Sequence, residues 1–203
     1  MKLGLTHPTL WDLVINPSPD SGHVDECLLE HESSGLRVLL GPPRAIANSE
    51  SRSLAMQRVA QVLSFLDDHQ YHFVFIDMAS EINDLTTYVL EAVHQIYYVL
   101  TPTASGVQDT YRGVETLRRM GHRRKLHFVL NQCRGAFDPS EMLSDLGGQL
   151  AASVPRDDDF LTAEDADRPV SLESPGAAHA GIGELVHRHL ERLAVHPTQE
   201  LFG

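Results

Sequence analysis

Four short apolar runs, at residues 36–40, 72–76, 96–100 and 126–130, constrain this chain more than any other feature. They are rich in Val, Ile, Leu, Phe and Tyr and show little polar alternation. Runs of that kind suit strands covered on both faces, as in a parallel sheet. A fifth run at 150–154 (LAASV) has the same character more weakly. Segments of helical spacing lie between and after them. Residues 51–67 place Ala55, Val59, Val62, Leu63 and Leu66 on one stripe, and 84–94 place Leu85, Val89 and Val93 together behind a capping Asn83 or Asp84. Residues 106–120 align Val107, Tyr111, Val114, Leu117 and Met120, and 180–195 align Ile182, Leu185, Val186, His189, Leu190 and Leu193. The alternation predicts an α/β fold, a mostly parallel, doubly wound sheet with helices on both faces. Right-handed crossovers then bring the C-terminal ends of the strands to one edge, where such sheets bind ligands.

Residues 1–35 are an irregular lead-in, broken by Pro8, Pro17 and Pro19, with short helices expected at 10–15 and 24–30. The α/β domain is expected over 36–196 and a frayed tail over 197–203, in a single domain overall. An irregular acidic stretch is expected at 155–169. The 42% apolar and 22% charged content excludes a disordered or fibrous chain. A net charge of −12 opposes broad nucleic-acid coating, so DNA is not an expected partner. The two cysteines, Cys27 and Cys133, fit no metal spacing and point to a reducing, cytoplasmic compartment. No apolar run approaches 18 residues, and the segment after residue 196 is too short and too weakly basic for a membrane anchor.

Three features could carry chemistry. Phe73-Val74-Phe75-Ile76-Asp77 ends an apolar run in a carboxylate, which on the ligand edge of a sheet suits a Mg²⁺ ion and otherwise simply opens a turn. Asn131 closes the 126–130 run with an amide whose donor and acceptor match a base edge, or serves as a turn residue. Val154-Pro155-Arg156-Asp157, followed by Ala163 and Pro169-Val170, forms either the wall of an adenine pocket or a proline-shaped surface loop.

In order and spacing these features resemble the MinD/ParA family of deviant-Walker P-loop ATPases, and within it the CpaE/TadZ-like branch of pilus-assembly and polar-localisation proteins. Ile76-Asp77 resembles the Walker B strand end, Asn83-Asp84-Leu85-Thr86 the helix start after it, and Val99-Leu100-Thr101-Pro102 the strand that ends in a Thr-Pro loop. Val129-Leu130-Asn131 is similar to the strand whose Asn reads adenine, and Val154 through Val170 to the late loop. The resemblance implies Asp77 as a Mg²⁺ residue and Asn131, Pro155 and Asp157 as adenine-binding residues. It also implies ATP and Mg²⁺ as cofactors, and protein partners that include a second copy.

The departures concern phosphate. No Gly-x-x-x-x-Gly-Lys-Ser/Thr loop occurs; Gly41-Pro42-Pro43-Arg44 is the nearest Gly-led turn and lacks the lysine. The segment Asp77-Met78-Ala79-Ser80-Glu81 lacks the Gly expected near a γ-phosphate. Met1–Leu5 and Pro8-Thr9-Leu10 resemble the stretch after the family's second strand, which implies a truncated or late-started form without the P-loop strand. The 72–76 run then becomes an exposed strand edge unless residues 1–5 or an upstream segment cover it. The resulting expectation is a CpaE/TadZ-like protein of pilus assembly or intracellular positioning, ATP-binding in its full-length form and without appreciable ATP hydrolysis as this chain. The alternative is a non-enzymatic pseudo-ATPase scaffold. An unrelated α/β binding domain is preferred if the strands are not parallel.

Twelve histidines build no recognisable metal site: His187 and His189 point to different helix faces, and His69 and His72 flank a strand start. Gly181-Ile182-Gly183 follows no strand, and neither Gly-x-Ser-x-Gly nor Cys-x-x-Cys is present. Arg118, Arg119, Arg123, Arg124 and Lys125 form a basic cluster, read as cations at a helix C-terminus or as a docking patch for an acidic partner or, as the resemblance to ParA allows, for DNA.

Overall fold

The computed structural model describes residues 5–32, 34–42, 49–69, 71–135, 138–158 and 176–187. It divides into two compact units, 1–88 and 89–203.

In the first unit, Thr9 caps α1 (Leu10–Ile15) through a reciprocal capping box with Asp12, and Asp20 caps α2 (Ser21–Cys27). Strands β1 (Leu29–His31) and β2 (Leu36–Val38) pair antiparallel, with Leu29 opposite Val38. The turn between them bends at Gly35, whose φ of 67° suits a residue without a side chain. Past β2, Leu40 bridges Thr9 in parallel and accepts a 2.8 Å bond from the Leu10 amide. The long helix α3 (Ser49–Asp68) lays Ala55, Val62 and Phe65 onto Leu10, Leu13 and Val14 of α1 and Val24 and Cys27 of α2, forming one apolar core. Arg58, on the same helix, is 7% exposed. It donates from Nε to the Leu13 carbonyl (3.1 Å) and from Nη2 to the Asn16 carbonyl (2.9 Å), satisfying groups left open at the C-terminus of α1.

Helix α4 (Asp84–Ala92) is capped by Asn83, whose Oδ1 accepts from the Thr86 amide at 3.0 Å. In the second unit, β3 (Ile96–Leu100), β4 (Leu126–Cys133) and β5 (Gln149–Pro155) form a parallel sheet in the order β3-β4-β5. Helix α5 (Ala104–Arg119) connects β3 to β4, ending in a 3₁₀ turn at His122–Lys125, and α6 (Ser140–Leu146) connects β4 to β5. Helix α7 (Ala177–Leu185) packs against β5. Successive side chains on a strand face opposite ways. Thus Tyr97 and Val129 meet Ala178, Ile182 and Leu185 of α7, whereas Tyr98 lies against Gly113 of α5 and contacts Phe128. Helices cover both faces of the parallel sheet, as the alternating pattern predicts. At Gly181 an added Cβ would stand 2.7 Å from the Ser153 carbonyl, so the glycine sets how closely α7 seats on β5.

Four local expectations are corrected. Residues 36–38 form a strand, but in an antiparallel hairpin, because a partner from 29–31 lies one short turn away. That partner strand occupies part of the stretch expected to be helical, and α2 ends earlier, at Cys27. The run 72–76 joins no ladder among the described residues, although the chain passes from 73 to 79 without a turn or bend. Phe73, Val74, Phe75 and Ile76 are 39, 45, 68 and 37% exposed, so both faces of the segment stay partly open to solvent. Strand-forming residues make a strand only where a neighbour supplies the ladder. Tyr111, expected on the buried stripe of α5, is 39% exposed, and Thr110 takes the buried place, bonding back to the Gly106 carbonyl at 2.7 Å. Residues 1–4, 43–48 (with Pro43 and Arg44), 159–175 (with Ala163, Pro169 and Val170) and 188–203 (with His189, Leu190 and Leu193) lie outside the described residues.

Candidate functional site

Because β3, β4 and β5 run parallel, their C-terminal ends at Leu100, Cys133 and Pro155 share one edge. The register breaks at that edge. Leu130 pairs with Ser153 and Cys133 pairs with Pro155, so Asn131 and Gln132 together oppose the single residue Val154. This is a β-bulge, a device that re-aims side chains at the end of a ladder. Gln132 pays for it with a φ of 57°, a conformation that costs a residue with a Cβ roughly 1–2 kcal/mol. The Asn131 Oδ1 accepts from the Gln132 amide at 3.0 Å, and the Arg156 amide donates to the Cys133 carbonyl at 3.0 Å, tying the loops after β4 and β5 together.

Around this edge lies a cavity of about 340 Å³ lined by Thr101, Pro102, Thr103, Gln132, Arg134 and Arg156. Thr103 is also the N-cap of α5, its hydroxyl accepting from the Gly106 amide at 3.1 Å, so the positive end of the α5 dipole abuts the cavity. A Cβ at position 106 would collide with the Thr101 carbonyl, and Gly106 therefore lets the 101–103 loop fold onto the first turn of the helix. Arg156 donates from Nε to Asp158 at 2.9 Å, whereas the exposed Arg134 has no hydrogen bond or ion pair among the described residues. Burial pushes the Cys133 thiol above its ordinary value, partly offset by a hydrogen bond from Ser153. Two guanidinium groups, two hydroxyls and a helix N-terminus can bind and orient an anion.

The residues expected from sequence divide between the units. Asn131 and Pro155 adjoin the lining residues Gln132 and Arg156 in sequence, on β4 and at the end of β5, but neither is among the residues that line the cavity. Asp157 follows them, but its Oδ2 accepts from the Ala178 amide at 3.2 Å, at the start of α7. Asp77 belongs to the first unit and is exposed just past the unpaired 73–76 segment. Among the described residues no three His, Cys, Asp or Glu side chains are grouped to hold a metal ion. The grouping of Thr103, Arg134 and Arg156 around one cavity has no counterpart in the sequence reading. Arg156 stood inside a quoted motif and Thr103 beside one, whereas Arg134 carries no local signal. In the basic cluster, Arg118 donates to the Asp145 and Leu146 carbonyls at the end of α6, and Lys125 Nζ donates to the Glu91 carbonyl (2.9 Å) at the end of α4. Arg119 pairs with Glu115 at 3.0 Å, while Arg124 is exposed.

Comparison with solved structures decides the fold. The MinD cell division protein of Aquifex aeolicus superposes with a TM-score of 0.75 at 14% identity, over 93% of this chain and 78% of that one. A ParA family ATPase from Chlorobium tepidum gives 0.69 at 16% identity, over 95% and 78%. The septum site-determining protein MinD of Pyrococcus horikoshii, complexed with Mg-ADP, gives 0.69 at 17%, over 95% and 79%. This is the MinD/ParA fold. No protein-family model matches the chain, and no curated protein matches its sequence. On the MinD/ParA fold, the cavity beside Asn131 occupies the strand-end edge where open α/β sheets take ligands. No helix among the described residues is long and apolar enough to cross a membrane.

Proposed function

We propose that this chain is an adenine-nucleotide-binding protein of the MinD/ParA type, CpaE/TadZ-like, which serves pilus assembly or intracellular positioning in the cytoplasm by binding rather than hydrolysing ATP. The observation that supports this reading is an arginine-lined cavity at the ligand edge of a parallel sheet, one of whose lining residues, Gln132, follows Asn131 in the β4 bulge. In this reading Asn131 pairs with the adenine edge, Pro155 shapes the wall against the ring, and Asp157 braces the wall by holding the start of α7. The residues present suit the anionic part of a nucleotide, since the described lining includes two arginines and no carboxylate. Asp77, in the first unit, is carried in this reading as the Mg²⁺ residue, and no step is derived through the metal. Protein partners, including a second copy, belong to the same reading. In the basic cluster, the charge offered to an acidic partner falls to Arg123 and Arg124, because Arg118 and Lys125 are committed to helix ends and Arg119 to Glu115.

Calorimetric titration with adenosine and ADP tests the reading. Micromolar to millimolar binding of adenosine that weakens roughly tenfold or more in Asn131→Ala supports it, the expected result of losing a directional pair to the base. Adenosine affinity indifferent to Asn131 sinks it. A Mg²⁺ enhancement of ADP affinity that vanishes in Asp77→Asn assigns the metal role. A second reading, a non-enzymatic scaffold that keeps the fold without the ligand, is favoured by one observation. The side-chain oxygens of Asn131 and Asp157 already accept backbone hydrogen bonds at 3.0 and 3.2 Å. Absence of any adenosine or ADP binding selects the scaffold.

A further inference from the structure

The cavity at the sheet edge is cationic in a protein whose net charge is −12. Its two guanidinium groups come from different loops. Arg134 lies just after the bulged end of β4, and Arg156 directly follows β5. The 3.0 Å bond from the Arg156 amide to the Cys133 carbonyl locks these loops side by side, so the spacing of the two arginines follows from backbone geometry. Arg156 is oriented by Asp158 through Nε, which leaves its terminal nitrogens available, and Arg134 has no counter-ion among the described residues. The Thr101 and Thr103 loop and the N-terminus of α5 close the opposite wall. A neutral or cationic ligand gains nothing from this lining, whereas a phosphate offers oxygens to both forks.

We propose that this cavity is a phosphate-binding site in which Arg134 and Arg156 grip the 5′-phosphate of the nucleotide whose base Asn131 reads. The proposal rests on the nucleotide reading above and adds the grip that replaces a Gly-Lys loop. The same chemistry is presented by inorganic pyrophosphate, which separates the anion site from base recognition. Arginine stays protonated across the working pH range, so the site's own charge is constant, and binding of a phosphate monoester weakens as its second proton returns near pH ~6.

The test is calorimetry on the whole chain with adenosine, AMP and pyrophosphate, using Arg134→Gln, Arg156→Gln and the double variant. AMP is expected to bind at least roughly tenfold tighter than adenosine, the scale of a charge-assisted hydrogen bond. The double variant is expected to bring AMP down to the adenosine level while leaving adenosine affinity unchanged. Pyrophosphate should compete with AMP in the wild type and lose its binding in the double variant. Equal affinity for AMP and adenosine in the wild type, or wild-type AMP affinity in the double variant, overturns the proposal. If adenosine binds independently of Asn131 while pyrophosphate binding still depends on the arginines, the base reading falls and the anion site stands. If neither adenosine nor pyrophosphate binds, both fall. Arg134 is exposed, so Arg134→Gln alone keeps the test interpretable even if the double variant unfolds.

Discussion

Arg58 shows how one buried charge can organise a small core. Its fork reaches carbonyls on Leu13 and Asn16, and Nη1 takes Gln61 at 3.0 Å, so each donor group is used where water is excluded. Arg58→Met keeps the length of the side chain but leaves the α1 carbonyls without donors, and should cost about 3 kcal/mol in urea unfolding of the first unit. An unchanged midpoint would refute that account. His122 poses the opposite problem. It is 6% exposed, its Nε2 has no hydrogen-bond partner among the described residues, and burial, aided by the Lys125 charge and opposed by Glu91, holds it below the ordinary histidine value. A histidine whose folded value is depressed binds fewer protons folded than unfolded. Its contribution is therefore intact above pH ~6.5 and is lost as pH falls below that toward the folded value. Thermal melts between pH 7.5 and 5 should show a smaller acid-side loss in His122→Asn than in the wild type; parallel curves would remove the effect. Neither residue announces itself in sequence, since an arginine and a histidine on helices are ordinarily solvated.

At the scale of elements, the Asn83 cap and most of the helices were legible, whereas α6 and the strand pairing were not. Thr9, Asn83 and Thr103 lie at helix starts where a short polar side chain can reach an amide two or three residues on, a wholly local matter. The 96–100, 126–130 and 150–154 runs became parallel strands because each met another. The 72–76 run has the same composition and met none among the described residues. With Phe75 68% exposed and its ring stacked on Phe73 at 6.2 Å, this stretch presents an uncharged, β-prone surface. Phe75→Lys should lower concentration-dependent light scattering while leaving the melting temperature within about 1–2 °C, because little buried area is lost. Scattering that stays at the wild-type level would show that self-association runs through another surface. The bulge at Asn131 and Gln132 was likewise invisible, since an extra residue in a ladder is defined only against the partner strand.

For the whole molecule, the MinD/ParA fold and the ligand edge agree with one another while the phosphate-gripping lysines are absent from these 203 residues. The purified chain should therefore show no ATP turnover above background in a phosphate-release assay; turnover abolished by Asp77→Ala would overturn this. What the amino-acid order determined alone was the α/β alternation and the Asn83 cap of α4. Each of these depends on residues within a few positions of one another. Tertiary structure decided that 36–38 pairs antiparallel, that 72–76 remains unpaired, that Asp157 turns to α7, and that Arg134 and Arg156 share a cavity. Those outcomes depend on which distant segment arrives alongside, and composition, spacing and local propensity carry no record of that neighbour.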